Sequence, residues 1–295
     1  MTTTKTKYDT KDQYSWDEKT RIYDDNGQLI WRETVYDDGR LTSVGFTDGV
    51  ITEKHDLDAG DSFDWVSKDM YYDETGQIEY LDKVFDTGLH LQQSYENGKL
   101  TDKVLSDDGD IYSWETKVQG YEKGKLQTSS VVYDDGKLLD ATYDKGVLAT
   151  EFWQDGADAF NWDTRYNQFD DGQLVVSSTE YDDGRALDVF YGEDGQAERK
   201  FWVDGADEFS WAWKDETYED GALVERHTGQ DSGMEIVNTY ADGALVEQMR
   251  IDGGDDYGWA TQTTVYDDSG EAVSLTTVYD DGSQDVIHYG DMLAV

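Results

Sequence analysis

The sequence predicts an all-β protein made of six copies of one four-stranded antiparallel unit. Three observations carry this: a tryptophan motif that returns every 48 or 49 residues, Asp-Gly or Asn-Gly turns at intervals of about ten residues inside each period, and a complete absence of proline. Proline removes a ladder donor, so its absence suits a chain that is nearly all paired strand.

The motif is D-x-x-D-x-[FY]-x-W, seen as "DTKDQYSW" (9–16), "DAGDSFDW" (58–65), "DDGDIYSW" (107–114), "DGADAFNW" (155–162), "DGADEFSW" (204–211) and "DGGDDYGW" (252–259). Its tryptophans are Trp16, Trp65, Trp114, Trp162, Trp211 and Trp259, and units begin near Asp12, Asp61, Asp110, Asp158, Asp207 and Asp255. Periods of this length mark repeat architectures. Residues 1–295 are therefore read as a single repeat domain.

Each unit divides into four segments. Seven residues after the Trp stands Tyr23, Tyr72, Tyr121, Phe169, Tyr218 or Tyr266, followed by an acidic turn containing glycine. A second aromatic and turn come 19 or 20 residues after the Trp, at Tyr36, Phe85, Tyr133, Tyr181 and Tyr279; the fifth copy has "GQDSG" there. A third aromatic follows at 29 or 30 residues, from Phe46 to Tyr289. Segments such as 28–36, 125–133 and 173–181 are rich in Val, Thr, Ser, Tyr and Leu and are bounded by glycine turns, mostly Asp-Gly or Asn-Gly pairs, the strongest short-range hairpin signal. No segment carries sustained helical apolar spacing.

Residues 2–10 are in phase with the fourth strand of a unit, while the last unit reaches only its third strand at 285–289. One strand, five sets of four and three more make twenty-four. Integer closure, with 1–11 supplying the strand that the sixth unit lacks, predicts a closed six-bladed β-propeller. Polar residues in many strand middles fit the alternatives: a single-layer hairpin ribbon, or a large hairpin ring or barrel.

With 24 Lys+Arg against 67 Asp+Glu, the formal charge of −43 points away from nucleic acid and anionic membranes, and toward cations, basic partners or solubility. Disorder is not expected, because 14% of the residues are aromatic. The chain has no cysteine, which excludes disulfides and thiolate chemistry, and no apolar run long enough to span a bilayer. "MTTTKTKYDT" (1–10) lacks the apolar region of a cleaved signal, so a cytoplasmic protein or export by an uncleaved C-terminal signal is expected.

Lines such as "YDDNGQLI" (23–30), "YDDGRLTSV" (36–44) and "YENGKLTDK" (95–103) resemble the YD repeats of Rhs and teneurin shells, and the hairpin repeats of MORN and YwqK-like proteins. The period of 49, in place of about twenty, departs from those families. The resemblance implies a non-catalytic shell, scaffold or binding surface and carries over no functional residue. The acidic, Cys-free composition and the ending "GDMLAV" (290–295) are also similar to proteins exported by type I secretion, although tandem calcium nonapeptides are absent.

Three readings fit the motif. In the structural one, the first Asp and the small residues after it form the crossover, the second Asp caps the turn, and the two rings pack against the neighbouring unit. In the metal reading, Asp9 and Asp12, Asp58 and Asp61, Asp107 and Asp110, Asp155 and Asp158, Asp204 and Asp207, and Asp252 and Asp255 offer hard oxygen ligands to calcium. In the binding reading, Tyr14 and Trp16, Phe63 and Trp65, Tyr112 and Trp114, Phe160 and Trp162, Phe209 and Trp211, and Tyr257 and Trp259 form platforms for carbohydrate, although no recurrent basic residue is evident beside them. No cofactor is required, and the four histidines sit at unrelated phases of the repeat, so no catalytic residue is assigned. The expectation is a monomeric, non-enzymatic, multivalent binding or scaffold protein for carbohydrate or protein, with calcium as a structural ion. The alternative is an immunity-type protein that holds a basic partner on its acidic surface.

Overall fold

The structure, a computed structural model, describes residues 1–289 and divides into two compact units, Met1–Val147 and Leu148–Val295. The ending 290–295, on which the export signal was placed, lies outside the described residues. The first unit holds β1 (Thr3–Tyr8), β2 (Trp16–Tyr23), β3 (Leu29–Tyr36), β4 (Arg40–Thr47), β5 (Val50–Asp58), β6 (Trp65–Tyr72), β7 (Ile78–Phe85), β8 (Leu89–Glu96), β9 (Lys99–Asp107), β10 (Trp114–Glu122), β11 (Lys125–Tyr133) and β12 (Lys137–Asp144). The second holds β13 (Val147–Asp155) from Leu148 onward, β14 (Trp162–Asp170), β15 (Gln173–Tyr181), β16 (Arg185–Tyr191), β17 (Ala197–Asp204), β18 (Trp211–Glu219), β19 (Ala222–Gln230), β20 (Met234–Ala241), β21 (Ala244–Asp252), β22 (Trp259–Tyr266), β23 (Ala272–Tyr279) and β24 (Gln284–His288). The strand count and hairpin repeat follow the sequence reading, and no α-helix occurs among the described residues.

Each unit is an antiparallel meander in which every strand pairs with the next. The ladder continues across the repeat boundaries, with β5 on β6 through Glu53↔Tyr71 to Leu57↔Ser67, β9 on β10, β17 on β18 and β21 on β22. A propeller would break its hydrogen-bond ladder at those boundaries, because neighbouring blades meet face to face, so the separate-blade expectation is corrected. The D-x-x-D crossover is short enough to keep the flanking strands adjacent. Nor does residue 1–11 complete a sixth blade: β1 pairs with β2, from Thr3↔Tyr23 to Tyr8↔Glu18. The single-layer hairpin repeat fits each unit.

Turn chemistry sets the register. Two-residue turns such as Asp48-Gly49, Asn97-Gly98, Asp171-Gly172 and Asp220-Gly221 place both residues at positive φ, near 50° and then 70 to 84°. This is the type I′ pattern, whose twist matches that of the strands it joins. The three-residue D-D-G turns instead close with Gly N–H donating to the aromatic carbonyl, as Gly39 to Tyr36 at 3.0 Å. The divergent fifth copy has the same geometry, with Gly233 donating to Gln230 at 2.9 Å.

With no second layer in either unit, stability rests on cross-strand neighbours of one sheet. Within each unit the buried apolar side chains, Trp16, Val44, Met70, Trp114, Val131 and Ala141 in the first and Trp162 and Val189 in the second, share the face that carries that unit's motif tryptophans. The same face carries the cations of the first unit: Lys5 lies opposite Arg21, Arg21 opposite Arg32, Lys7 opposite Lys19, and Lys68 opposite both Asp56 and Lys83. The other face carries Glu18, Glu33, Glu53, Asp69, Asp82 and Asp102. Outside the motif, Trp202 stacks on Tyr181 at 6.1 Å and Trp213 meets His227 edge-on at 4.7 Å. Trp213 fits because Gly229 lies opposite it; a Cβ there would fall 2.2 Å from the indole nitrogen.

A candidate binding edge of stacked rings and crowded carboxylates

In a meander, alternate connections lie at the same end of the strands. All six motif loops therefore share an end, within their own unit, with the D-D-G turns, and the plain Asp-Gly and Asn-Gly hairpins lie at the other. Loop and turn touch backbone to backbone. A Cβ on Gly60 would fall 2.1 Å from the Asp38 carbonyl oxygen, and one on Gly109 would fall 2.0 Å from that of Thr87. This explains the glycine or alanine between the two aspartates of the later copies.

The first Asp of each motif builds the loop. Asp9 accepts N–H groups from Gln13 (2.7 Å) and Tyr14 (2.6 Å); Asp58 accepts Phe63 (2.6 Å), and Asp107 accepts Ile111 (2.9 Å) and Tyr112 (2.5 Å). Asp155, Asp204 and Asp252 hold Phe160, Phe209 and Tyr257 at 2.6 to 2.7 Å. The second Asp does something else: Asp12, Asp61, Asp110, Asp158, Asp207 and Asp255 all adopt φ of 51 to 57°. Asp tolerates this left-handed region better than most residues. The capping role assigned to the second Asp thus belongs to the first. One oxygen each of Asp58 and Asp107 is enclosed without a hydrogen-bond partner. Among the described residues no three acidic or histidine groups converge as metal ligands.

The rings stack on each other within their own repeat, instead of on the neighbouring unit. Tyr14–Trp16, Phe63–Trp65, Tyr112–Trp114, Phe160–Trp162, Phe209–Trp211 and Tyr257–Trp259 have centroids 5.1 to 5.5 Å apart and planes within 13 to 26°. In four repeats a cation covers the Trp: Lys19 over Trp16 at 4.2 Å, Lys117 over Trp114 at 4.3 Å, Arg165 over Trp162 at 4.5 Å and Lys214 over Trp211 at 3.8 Å. This is a recurrent basic residue beside the motif, three positions after the Trp, which corrects the expectation that there is none.

The Tyr or Phe ring is the more exposed partner of the stack. Two of these rings already take a guanidinium from the same chain, Arg40 over Phe63 at 5.5 Å and Arg185 over Phe209 at 5.1 Å. Both phenylalanines are 39% exposed. Tyr112 and Tyr257 have Leu89 and Met234 at the position of that arginine, and are 47% and 51% exposed.

Carboxylates crowd around these rings. Desolvation, and then the charges of Asp17, Asp12, Asp9 and Asp38, push the Asp37 carboxyl above its ordinary value. Asp86, Asp134, Asp182 and Asp231 are raised in the same way, first by desolvation and then by the aspartates of the adjoining motif loop. A carboxyl whose pKa is raised by folding favours the folded state when protonated, and that contribution is lost as pH rises through the raised value. Asp37→Asn, Asp86→Asn and Asp182→Asn should therefore each raise the thermal midpoint at neutral pH. The gain should vanish as the pH falls through the raised folded value toward the ordinary 3.8, where the wild-type carboxyl is itself protonated.

Three histidines are engaged by carboxylates. His55 Nδ1 meets Asp69 at 2.8 Å and Nε2 meets Glu53 at 3.2 Å; burial lowers its pKa, but these two hydrogen bonds outweigh it and the net shift is upward. Ser43 lies opposite His55 in the ladder, yet its hydroxyl donates to Glu33 at 3.4 Å and the imidazole is engaged elsewhere. His90 pairs with Asp82 in the first unit and His227 with Glu235 in the second.

No family model matches the chain, and no curated protein matches it. Among solved structures it is similar to a porin-like protein from Bacteroides uniformis, at 14% identity over 84% of this chain and 92% of that one, with a TM-score of 0.17. No helix among the described residues is long and apolar enough to cross a membrane.

Proposed function

We propose that this chain is a non-catalytic, multivalent binding scaffold that takes basic segments of a protein partner along its acidic, aromatic edge. One observation carries the reading. Phe63 and Phe209 are each covered by an internal guanidinium, whereas Tyr112 and Tyr257 present the same stacked ring, beside the same motif carboxylates, with no arginine at the corresponding position. An arginine from another chain would stack on the open ring and donate to the carboxylates around it, which suits a planar guanidinium better than an ammonium. Two such sites on one chain would add avidity to weak single contacts with a partner that reaches both.

The test is titration with an arginine-rich peptide and a lysine peptide of equal length and charge. The arginine peptide should bind more tightly, and both should be released at a few hundred millimolar salt, where screening acts within a few ångströms. Absence of binding at low salt would remove the reading. Carbohydrate remains a second reading because the open tyrosine faces also suit sugar rings. Quenching of Trp fluorescence by a soluble sugar, without response to the peptides, would favour it.

A further inference from the structure

We propose that the tryptophan-bearing face of β1, β2 and β3 holds a site for a small polyanion carrying phosphate or sulfate groups, centred on Lys5, Lys7, Lys19 and Arg21. The four cations line a cleft of about 340 Å³ whose walls include Tyr14, Trp16 and Tyr23 and no carboxylate. The register sets like charges directly opposite one another: Lys5 against Arg21, Arg21 against Arg32, and Lys7 against Lys19. Such pairs destabilise a sheet. In a chain with 67 acidic residues against 24 basic ones, acidic neighbours were the more available choice.

A cleft in the second unit gathers Arg185, Lys214 and Arg226 around Trp202 and Trp211, but includes Glu216, which pairs with Arg226 at 2.8 Å. Among the described residues no carboxylate lies within ion-pair distance of Lys5, Lys7, Lys19 or Arg21. Partial burial, then Arg21, Arg32 and Lys7, lower the Lys19 pKa, as expected where counter-charge is missing.

The ligand chemistry follows from the spacing. Cross-strand neighbours lie about 5 Å apart and the two rows about 7 Å apart, so the charges suit several oxyanion groups on one molecule better than a single carboxylate. The net charge of −43 opposes a long polyanion and favours a short one. Arg21 supplies a planar fork that suits phosphate or sulfate oxygens, and the rings beside it offer a face to the rest of the ligand. This site shares Tyr14 and Trp16 with the first motif, but its charged groups lie on the sheet face and it rests on observations other than those behind the partner proposed for the acidic edge.

The test uses the full chain and calorimetric titration with tripolyphosphate and with a sulfated disaccharide at low ionic strength, alongside Arg21→Gln. Arg21 makes no ring contact or ion pair among the described residues. Saturable binding of either anion is expected, weakened about tenfold or more in the variant, as loss of one charge-assisted contact implies. Binding of tripolyphosphate alone would assign phosphate chemistry, and binding of the disaccharide alone would assign sulfate. Without ligand, the variant should melt at a higher temperature than the wild type, because a repulsive row has lost its central charge. Failure of both anions to bind would overturn the proposal. So would a variant that melts lower with unchanged affinity, since Arg21 would then be a packing residue. Lys103→Gln, on the same face opposite Gln93 and Gln119, should leave binding unchanged.

Discussion

Truncating Trp114 to alanine should destabilise the protein by about 3 to 5 kcal/mol, the range for removing a large buried aromatic. The indole is 7% exposed, has Tyr112 stacked at 5.1 Å and 17°, carries the Lys117 ammonium at 4.3 Å and lies opposite Tyr133. In a one-layer sheet no other element can collapse into the space, so the cavity would stay open and three neighbours would lose contacts together. Trp114→Phe should recover a large part of the loss, since a ring still stacks on Tyr112. Ile111→Ala, at a side chain 53% exposed, should change stability by less than about 0.5 kcal/mol. Denaturant unfolding measures all three, and a Trp114→Ala loss below about 1 kcal/mol would mean that the stack is decoration on the sheet.

Replacement of Asp107 by alanine should cost about 1.5 to 3 kcal/mol, the scale for hydrogen bonds to a charged acceptor that leave their donors unpaired. Its carboxylate gathers the N–H groups of Ile111 and Tyr112 and so aims Tyr112 at Trp114. Asp107→Asn should lose less, because an amide oxygen still accepts. Asp110, three residues on, should behave oppositely. With φ at 52°, Asp110→Gly should be nearly neutral and Asp110→Val clearly destabilising. Thermal or chemical unfolding of the four variants would separate the two aspartates, and equal losses at both positions would contradict the assignment of the loop to the first.

Most of the fold was legible because turn glycines and β-branched runs act locally. Strands β11 and β15 begin and end where the sequence placed them, at 125–133 and 173–181. What was not legible depends on partners. Whether β5 pairs with β6 or stacks against it cannot be read from alternation, since a polar strand middle serves either arrangement. The cation over each tryptophan was hidden by geometry. In a regular strand, residues three apart face opposite sides, so Lys19 would point away from Trp16. The register shift between Trp16 and Glu18 inserts an extra residue and brings Lys19 to the same face, and equivalent shifts follow Trp114, Trp162 and Trp211. The signal that would have found it is Lys, Lys, Lys, Arg and Lys three places after five of the six motif tryptophans.

Net charge hid a second feature. A sum of −43 describes the far field, whereas Lys5, Lys7, Lys19 and Arg21 share one face only because β1 and β2 pair in a particular register. The acidic edge was visible in composition, but its division of labour was not: one aspartate per motif binds backbone, the other adopts the left-handed turn, and the D-D-G carboxylates take the crowding.

Calorimetric titration of the full chain with an arginine-rich peptide, read for stoichiometry in wild type and in Tyr112→Ala/Tyr257→Ala, tests the proposed open tyrosine sites for arginine. At least two sites per chain are expected, with fewer sites or weaker binding in the double variant, and an undiminished response in Phe63→Ala, whose ring is already occupied. Binding that is unchanged in the double variant, or no saturable binding at low salt, would contradict it.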